Sequence, residues 1–193
     1  MLRLEGLLSR FFQKKSNTFT EFRFNLPGVS SISVDAHKMG YSVISLGCLL
    51  LQKQKWLSHI SVDSPYISVK KQTGLLGTRS GAPVAAAYAV AKYLGMKGYK
   101  QVVTHCMNTT QYTLKRLTEI GLEVLLPPTM NVLAVKLKKP MEITKLLSSY
   151  GWRVNTMSNL CCIRLVLMPH ITTDIIDEFI PILEQVCQKT GEL

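Results

Sequence analysis

The pattern of apolar and polar positions differs between two stretches of the chain. In the first, the short apolar runs 29–34 and 47–52 predict buried strands, and small and apolar residues over 82–95 predict a closely packed helix. Residues 63–80 lie between them, lack periodicity and contain one proline and two glycines, which indicates a long loop. Loops of this length are often functional.

The second stretch, from about Tyr99 onward, alternates helical and strand patterns. It predicts an α+β unit of strands with helices on one face. Thr172 or Thr173 is the expected N-cap of the last helix, which has Asp174 in its first turn. The predicted helices are 99–120 (stopped by Gly121), 141–150 and 172–187, and the predicted strands are 122–126, 131–137, 152–155 and 163–168.

Composition favours a folded, cytoplasmic protein. The 193 residues are 47% hydrophobic and 18% charged, which is typical of globular chains. Arg3, Glu5 and Arg10 interrupt the apolar N-terminal run, so we expect no secretory signal. No segment has eighteen apolar residues in a row, so we expect no membrane span.

The net charge of +11 raises the alternative of a nucleic-acid-binding protein. The lysines and arginines are scattered in short pairs, without interleaved aromatics or a DNA-binding motif, so solvated faces are favoured and no nucleic acid is expected. The five cysteines are an odd number without secretory context, which predicts free thiols. Cys161 and Cys162 are adjacent and have no Cys-x-x-Cys partner, so we expect no metal site.

Lys38 stands at the end of an apolar, strand-like run in the segment Asp35-Ala36-His37-Lys38, and Gly40 follows. A lysine buried at the end of a strand loses hydration, which lowers the pKa of its ammonium group. The neutral amine is a nucleophile for carbonyl groups. The alternative from spacing alone is a solvated loop lysine.

The Asp-x-His-Lys segment resembles the lysine segment of the group II pyridoxal-phosphate-dependent amino-acid decarboxylases, and most of all their archaeal tyrosine/aspartate branch. Residues 76–81, 88–95 and 164–170 resemble further segments of that family in the same order. The resemblance implies an α/β fold of the aspartate-aminotransferase type (fold type I). Residues 1–98 would be the C-terminal remnant of the large, cofactor-binding domain, and 99–193 the small C-terminal domain.

The resemblance also implies the roles of the cofactor-binding residues. Lys38 would carry pyridoxal 5'-phosphate covalently, and His37 would help to hold its phosphate. Thr78 and Ser80 lie in a glycine-bounded turn before a helix, where amides and hydroxyls suit a phosphate. An ordinary helix cap is the alternative for this turn.

Two further residues are candidates for catalysis. Arg164 lies between Ile163 and Leu165, so we expect it to be buried and to need an anionic partner. The matching family arginine binds the substrate carboxylate, and a structural ion pair is the alternative. Tyr66, in the long loop, could donate the proton that quenches the carbanion, although loop tyrosines usually pack.

One feature of the family has no counterpart here. The family aspartate that pairs with the pyridine nitrogen opens an Asp-Ala-Ala-x-Gly-Gly segment, and 1–6 occupy its place with only Gly6 kept. We therefore expect a C-terminal half of a decarboxylase of tyrosine, aspartate or glutamate, working as a homodimer or with a separate N-terminal half. A non-catalytic remnant is the alternative.

Overall fold

The computed structural model describes residues 24–65, 68, 70–74 and 77–193. The chain divides into two compact units, Met1–Lys100 and Gln101–Leu193. This division falls close to the boundary expected from the sequence. The assignment of the units to a cofactor domain and a small domain stays a prediction.

The first unit contains two small antiparallel strand pairs. Strand β1 (Ser31–Asp35) pairs with β2 (Gly47–Leu51), so that Ser31 lies opposite Leu51 and Asp35 opposite Gly47. A 3-10 helix (Gln54–Ile60) follows, and then the two-residue strands β3 (Val62–Asp63) and β4 (Lys71–Gln72) pair within the expected loop.

Helix α1 (Ala82–Glu119) is interrupted at Gly95, which has φ 53° and ψ −168°. Only glycine adopts such a conformation without strain. The sequence predicts two helical segments punctuated near this glycine, and the structure confirms them. Gly121, at φ 82°, follows the end of α1 as expected.

The second unit is a three-stranded antiparallel sheet with two further helices. Its strands β5 (Val132–Lys136), β6 (Asn155–Met157) and β7 (Cys162–Val166) lie in the order β5-β7-β6. The helices are α2 (Pro140–Ser149) and α3 (Thr173–Thr190), and a 3-10 turn (Ser158–Leu160) joins β6 to β7. The Thr172 hydroxyl accepts from the Ile175 amide at 3.4 Å, which confirms the predicted cap.

The core of the second unit forms because β5 and β7 turn alternate residues toward the helices. Trp152 packs against this cluster with its ring centroid 5.1 Å from that of Phe179. The innermost side chains of this cluster, all 0–1% exposed, are Leu117, Leu133, Val135, Ile143, Leu147, Ile163, Ile180, Leu183, Val186 and Cys187.

Three expectations about the strands are wrong. Strand β2 forms where predicted but is not buried, since Leu49 and Leu50 are 51% and 47% exposed in a two-stranded sheet. Residues 122–126 form a single bridge, Val124 to Val135, instead of a strand. Pro127 and Pro128 follow, lack amide hydrogens and cannot extend the ladder. The expected strand 152–155 is shifted to β6.

The cysteines behave as expected from their number. All five are free; Cys106, Cys162 and Cys187 are buried, whereas Cys48 and Cys161 are exposed. Burial raises the pKa of the Cys187 thiol to about 12. No helix in the described part of the chain is both long and apolar enough to cross a membrane.

Candidate active site

Lys38 lies in the turn that follows β1. Its Nζ donates to Oδ2 of Asp35 at 2.7 Å, and its backbone amide donates to the Asp35 carbonyl at 3.1 Å. The Lys38 side chain is 49% exposed. The expectation of a lysine at the end of a buried strand is therefore wrong, because in the described part of the chain β1 pairs with one strand and buries only Ile32. The alternative of a solvated loop lysine agrees with this exposure. The amine is accessible and is oriented by the carboxylate.

His37 is fixed by the segment that precedes β2. Its Nδ1 lies 2.7 Å from the Leu46 carbonyl oxygen and 3.2 Å from the Leu46 amide nitrogen. A single ring nitrogen cannot make both hydrogen bonds, because it would have to donate to the carbonyl oxygen and accept from the amide at the same time. The shorter contact favours Nδ1–H as the donor, which leaves Nε2 for another partner.

Two hydrogen bonds hold the Lys38 turn against α1. The Ser42 hydroxyl donates to the Pro83 carbonyl at 2.8 Å, and the Tyr99 hydroxyl donates to the Gly40 carbonyl at 3.0 Å. Gly40 is required for the turn itself, because a Cβ there would lie 2.5 Å from the Ala36 carbonyl oxygen. The lysine segment is thereby anchored to α1 at its N-terminal end, through Pro83, and beyond the interruption at Gly95, through Tyr99.

Thr78 and Ser80 are exposed just before the N-terminal end of α1. The Ser80 hydroxyl accepts from the Ala82 amide, the first of the helix, at 3.2 Å. A hydroxyl that accepts one hydrogen bond can still donate another, so this contact leaves Ser80 able to contact a phosphate. The hydrogen bond from Ser42 to Pro83 brings the turn that carries His37 and Lys38 to the same end of α1.

Arg164 is exposed, and the expectation of a buried arginine is wrong. Because side chains alternate along β7, Ile163 and Leu165 face the core while Arg164 projects from the opposite face of the sheet. It lies opposite Asn155 on β6 and Ala134 on β5, and it lines a cleft of about 220 Å³. No residue that the structure describes forms an ion pair with it.

Tyr66 lies outside the described residues, so its proposed role stays a prediction. Two charged residues were missed by sequence reasoning. Asp35 belongs to the Asp-x-His-Lys segment, and its three-residue spacing from Lys38 is the signal that could have revealed the contact. Arg153 lines the same cleft as Arg164. The alternation of Trp152 to Asn155 could have placed it with Arg164, had the pairing register been known.

Comparison with known proteins decides the family. The model of the pyridoxal-dependent decarboxylase conserved domain matches residues 6–138. The chain belongs to the pyridoxal-dependent decarboxylase family. This confirms the family predicted from the Asp35–Lys38 segment and, with it, pyridoxal phosphate as the cofactor of the family.

Curated relatives agree with this assignment. The chain is 39% identical over 166 residues to a probable L-tyrosine/L-aspartate decarboxylase of Methanocella arvoryzae, and the match covers 86% of the chain and 44% of the relative. A protein of the same description from Methanosarcina acetivorans is 45% identical over 166 residues, with 86% and 42% covered. The chain thus spans less than half the length of these relatives.

A solved structure confirms the expected fold. The sphingosine-1-phosphate lyase of Burkholderia pseudomallei superposes with a TM-score of 0.82 over 93% of the chain and 42% of the lyase. The sequences are 23% identical, so this likeness concerns the fold alone. The α/β, aspartate-aminotransferase type of fold predicted from the sequence is confirmed.

The donor groups of the first unit fit two ends of pyridoxal phosphate. The accessible Lys38 amine suits the aldehyde, and His37 Nε2 with the hydroxyls of Thr78 and Ser80 suits the phosphate. The pyridine nitrogen needs an acidic partner, and the described part of the first unit offers few candidates. Asp35 and Asp63 are the only acidic residues between residues 24 and 100, and Asp35 is engaged by Lys38.

Proposed function

We propose that this chain supplies the cofactor lysine and the substrate-carboxylate site of a pyridoxal-phosphate-dependent L-amino-acid decarboxylase. The observation that carries the proposal is the accessible Lys38 amine, oriented by Asp35 and held against α1. The cofactor, when bound, takes up the electron pair that remains as carbon dioxide leaves. Tyrosine, aspartate and glutamate are the candidate substrates.

Each residue has a distinct part in this proposal. Lys38 would hold the cofactor at its aldehyde end, where an amine condenses with loss of water, and Asp35 Oδ2 lies 2.7 Å from Lys38 Nζ, where it could receive the proton that the amine sheds. His37, with Nδ1 bound to Leu46, would offer Nε2 to the phosphate. Arg164 presents its two parallel N–H groups to the substrate carboxylate, a geometry that lysine cannot reproduce. Tyr66 remains the proposed proton donor.

The surface of the first unit supports a role within an assembly. Two of its sheet residues, Leu49 and Leu50, and two residues of α1, Tyr88 and Tyr93, are large, apolar and exposed. Large apolar side chains left exposed on a folded unit are typical of surfaces that contact other proteins. We propose that either a second copy or a polypeptide equivalent to the remaining part of the relatives covers this surface. In the alternative function, the chain is non-catalytic until that polypeptide supplies the partner of the pyridine nitrogen.

The lysine assignment is tested by trapping the cofactor. The chain is incubated with pyridoxal phosphate, reduced with borohydride and mapped by peptide mass spectrometry. We expect the reduced adduct to be enriched at Lys38 and lost in Lys38→Ala. Lys55→Ala removes an exposed lysine elsewhere in the first unit and is the matched control. An adduct spread evenly over many lysines would contradict the proposal.

The two functional alternatives are separated by an activity assay. The purified 193-residue chain is incubated with cofactor and each amino acid, and amine and carbon dioxide are measured. Turnover near one per second or above, the usual range of enzymes, shows that the chain is active alone. Turnover that appears only after addition of a polypeptide equivalent to the N-terminal part of the relatives shows that an assembly is required.

A further inference from the structure

The turn that carries Lys38 is closed by its own backbone. The Lys38 amide donates to the Asp35 carbonyl at 3.1 Å, and the Lys38 carbonyl accepts from the Tyr41 amide at 3.0 Å. The Ser42 amide donates to the Ala36 carbonyl at 3.0 Å and closes the turn a second time. Both backbone groups of Lys38 are therefore bonded, so the conformation of the turn sets where its side chain begins.

This turn is tight and needs support from outside. Tyr41 has φ 58°, a left-handed conformation that is uncommon for a residue other than glycine. Such a conformation persists where the surrounding structure holds it. At Gly40 the backbone passes so close to Ala36 that no Cβ would fit. The contacts that reach the turn from other elements therefore decide whether it keeps this shape.

Tyr99 provides one such contact from helix α1. Its hydroxyl donates to the Gly40 carbonyl at 3.0 Å, and the residue is only 9% exposed. Ser42 provides a second contact, through its hydroxyl to the Pro83 carbonyl at 2.8 Å. Removal of either hydroxyl takes support from the turn but removes none of the groups that are proposed to meet cofactor or substrate.

The contact between Lys38 and Asp35 depends on this turn. Asp35 ends β1 and is held by its pairing with Gly47 on β2, whereas Lys38 lies three residues farther on, beyond the strand. Lysine has a flexible four-carbon stem, so its amine stays in one place only if its backbone and its partner are both fixed. The strand fixes the partner, and the turn fixes the backbone. The 2.7 Å distance between Lys38 Nζ and Asp35 Oδ2 is the result.

We propose that Tyr99 is a positioning residue for Lys38, and that its hydroxyl acts through the Gly40 carbonyl. The inference rests on the proposed function, in which Lys38 holds the cofactor. Tyr99 itself needs no contact with cofactor or substrate. It keeps the turn in the shape that presents the amine beside Asp35, where the aldehyde is met. Without this hydroxyl the turn relaxes, and the amine is released from Asp35 and displaced.

Reductive methylation measures the hold on Lys38 without any cofactor. Formaldehyde and cyanoborohydride methylate accessible amines, and peptide mass spectrometry gives the rate at Lys38 relative to that at exposed Lys55. Tyr99→Phe removes only the hydroxyl. It should raise this ratio about two- to fivefold, the weight of an exposed ion pair, because an amine freed from a carboxylate reacts faster. Asp35→Asn breaks the same contact directly and should give a similar rise.

Trapping with pyridoxal phosphate and borohydride should change in the opposite direction. The reduced adduct at Lys38 should form about tenfold more slowly in Tyr99→Phe, because a displaced amine meets the aldehyde less often in the productive geometry. A hydroxyl that only stabilises the fold would not give this pattern, since general loosening exposes Lys38 to both reagents alike. The opposite signs therefore separate positioning from stability.

Two further variants complete the experiment. Tyr112→Phe removes another hydroxyl of α1, which donates to Asp177 in the second unit at 2.6 Å, and it should leave both rates at their parental values. Ser42→Ala removes the second anchor of the turn and should reproduce the two opposite changes. The inference is therefore tested even if Tyr99→Phe folds poorly.

Parental methylation ratios in both Tyr99→Phe and Ser42→Ala would overturn the inference, and so would an equal change in Tyr112→Phe. Failure of the proposed function gives a different result. An adduct that is enriched at Lys38 in the parent but unaffected by Tyr99→Phe would remove the inference and leave the decarboxylase proposal in place. An adduct that is not enriched at Lys38 in the parent would remove that proposal, and the methylation ratio alone would then decide whether Tyr99 holds the amine.

Discussion

The two units differ in how completely they bury their apolar side chains. The second encloses a continuous core between its sheet and helices, with ten side chains almost fully buried. The described part of the first buries chiefly Ile32, Met39 and Tyr99, and it leaves strand β2 exposed. A unit that completes its core has the means to fold alone, whereas one that does not requires further protein surface.

The two units also differ in their balance of basic and acidic residues. Residues 24–100 contain nine lysines and arginines but two acidic residues, whereas residues 101–193 contain nine and eight. The basic excess of the described chain is therefore concentrated in the unit with the exposed apolar surface. A partner that covers this unit should present apolar and acidic groups, since complementary charge guides association and register.

Truncation of the core of the second unit should produce the largest effect. Leu147→Ala removes a fully buried side chain and should lower the free energy of unfolding by about 2–5 kcal/mol. Urea unfolding followed at Trp152 measures it. Leu50→Ala, on exposed β2, is the matched leucine in the first unit and should change the value by about 0.5 kcal/mol or less. Equal losses of unfolding free energy in the two variants would contradict the difference in burial between the two units.

Gly95→Ala should destabilise by about 1–3 kcal/mol, because alanine is strained at this φ and ψ. Unfolding is read separately at Trp56 in the first unit and Trp152 in the second, in single-tryptophan variants. A shift confined to Trp56 would show that the units unfold independently. Gly77→Ala is the control, since a Cβ there meets nothing within 4 Å.

Alkaline pH should weaken the second unit through Cys187. Its folded pKa of about 12 exceeds the ordinary 9.0, so the contribution is fully present below pH 9 and is lost as pH rises toward 12. Between about pH 8 and 10 the loss should be about 1.4 kcal/mol. Cys187→Ala should remove that part of the slope, whereas Cys48→Ala, at an exposed thiol, should keep it. Identical slopes in all three proteins would refute the prediction.

The smallest effect concerns the contact between α1 and α3. Asp177 accepts from the Tyr112 hydroxyl at 2.6 Å and pairs with Arg116. Asp177→Asn should cost about 0.5–1 kcal/mol, because the Asp177 side chain is 45% exposed and the pair is screened. Chemical denaturation at low and high salt measures the loss, which should shrink with salt. Glu178→Gln, next to it and exposed, should change little.

Sequence reasoning succeeded where local signals decide structure. Periodic apolar residues and Thr172 predicted α3 with its cap, and Gly121 marked the end of α1. It failed where the outcome depends on which elements pair. Apolar composition predicted a buried β2, but burial requires a neighbouring layer, and the described first unit provides one partner strand.

The candidate site was predictable to a similar degree. The Asp35–Lys38 segment located the lysine, but its exposure and its contact with Asp35 depend on the turn geometry. Arg164 was placed on the correct strand with the wrong burial, because two apolar neighbours in sequence face the core while the residue between them faces away. Arg153 joins Arg164 only through the β6–β7 register, which no local pattern encodes.

The length of the short connection between β6 and β7 constrains how the sequence can evolve. The 3-10 turn Ser158–Leu160 and the left-handed Cys161 fix the pairing of Asn155 with Arg164. Deletion of one residue there would exchange the two faces of β7, turning Arg164 inward and Ile163 toward solvent. A substitution in this turn keeps the register, whereas a change in its length does not, so we expect the number of its residues to be inherited more strictly than their identities.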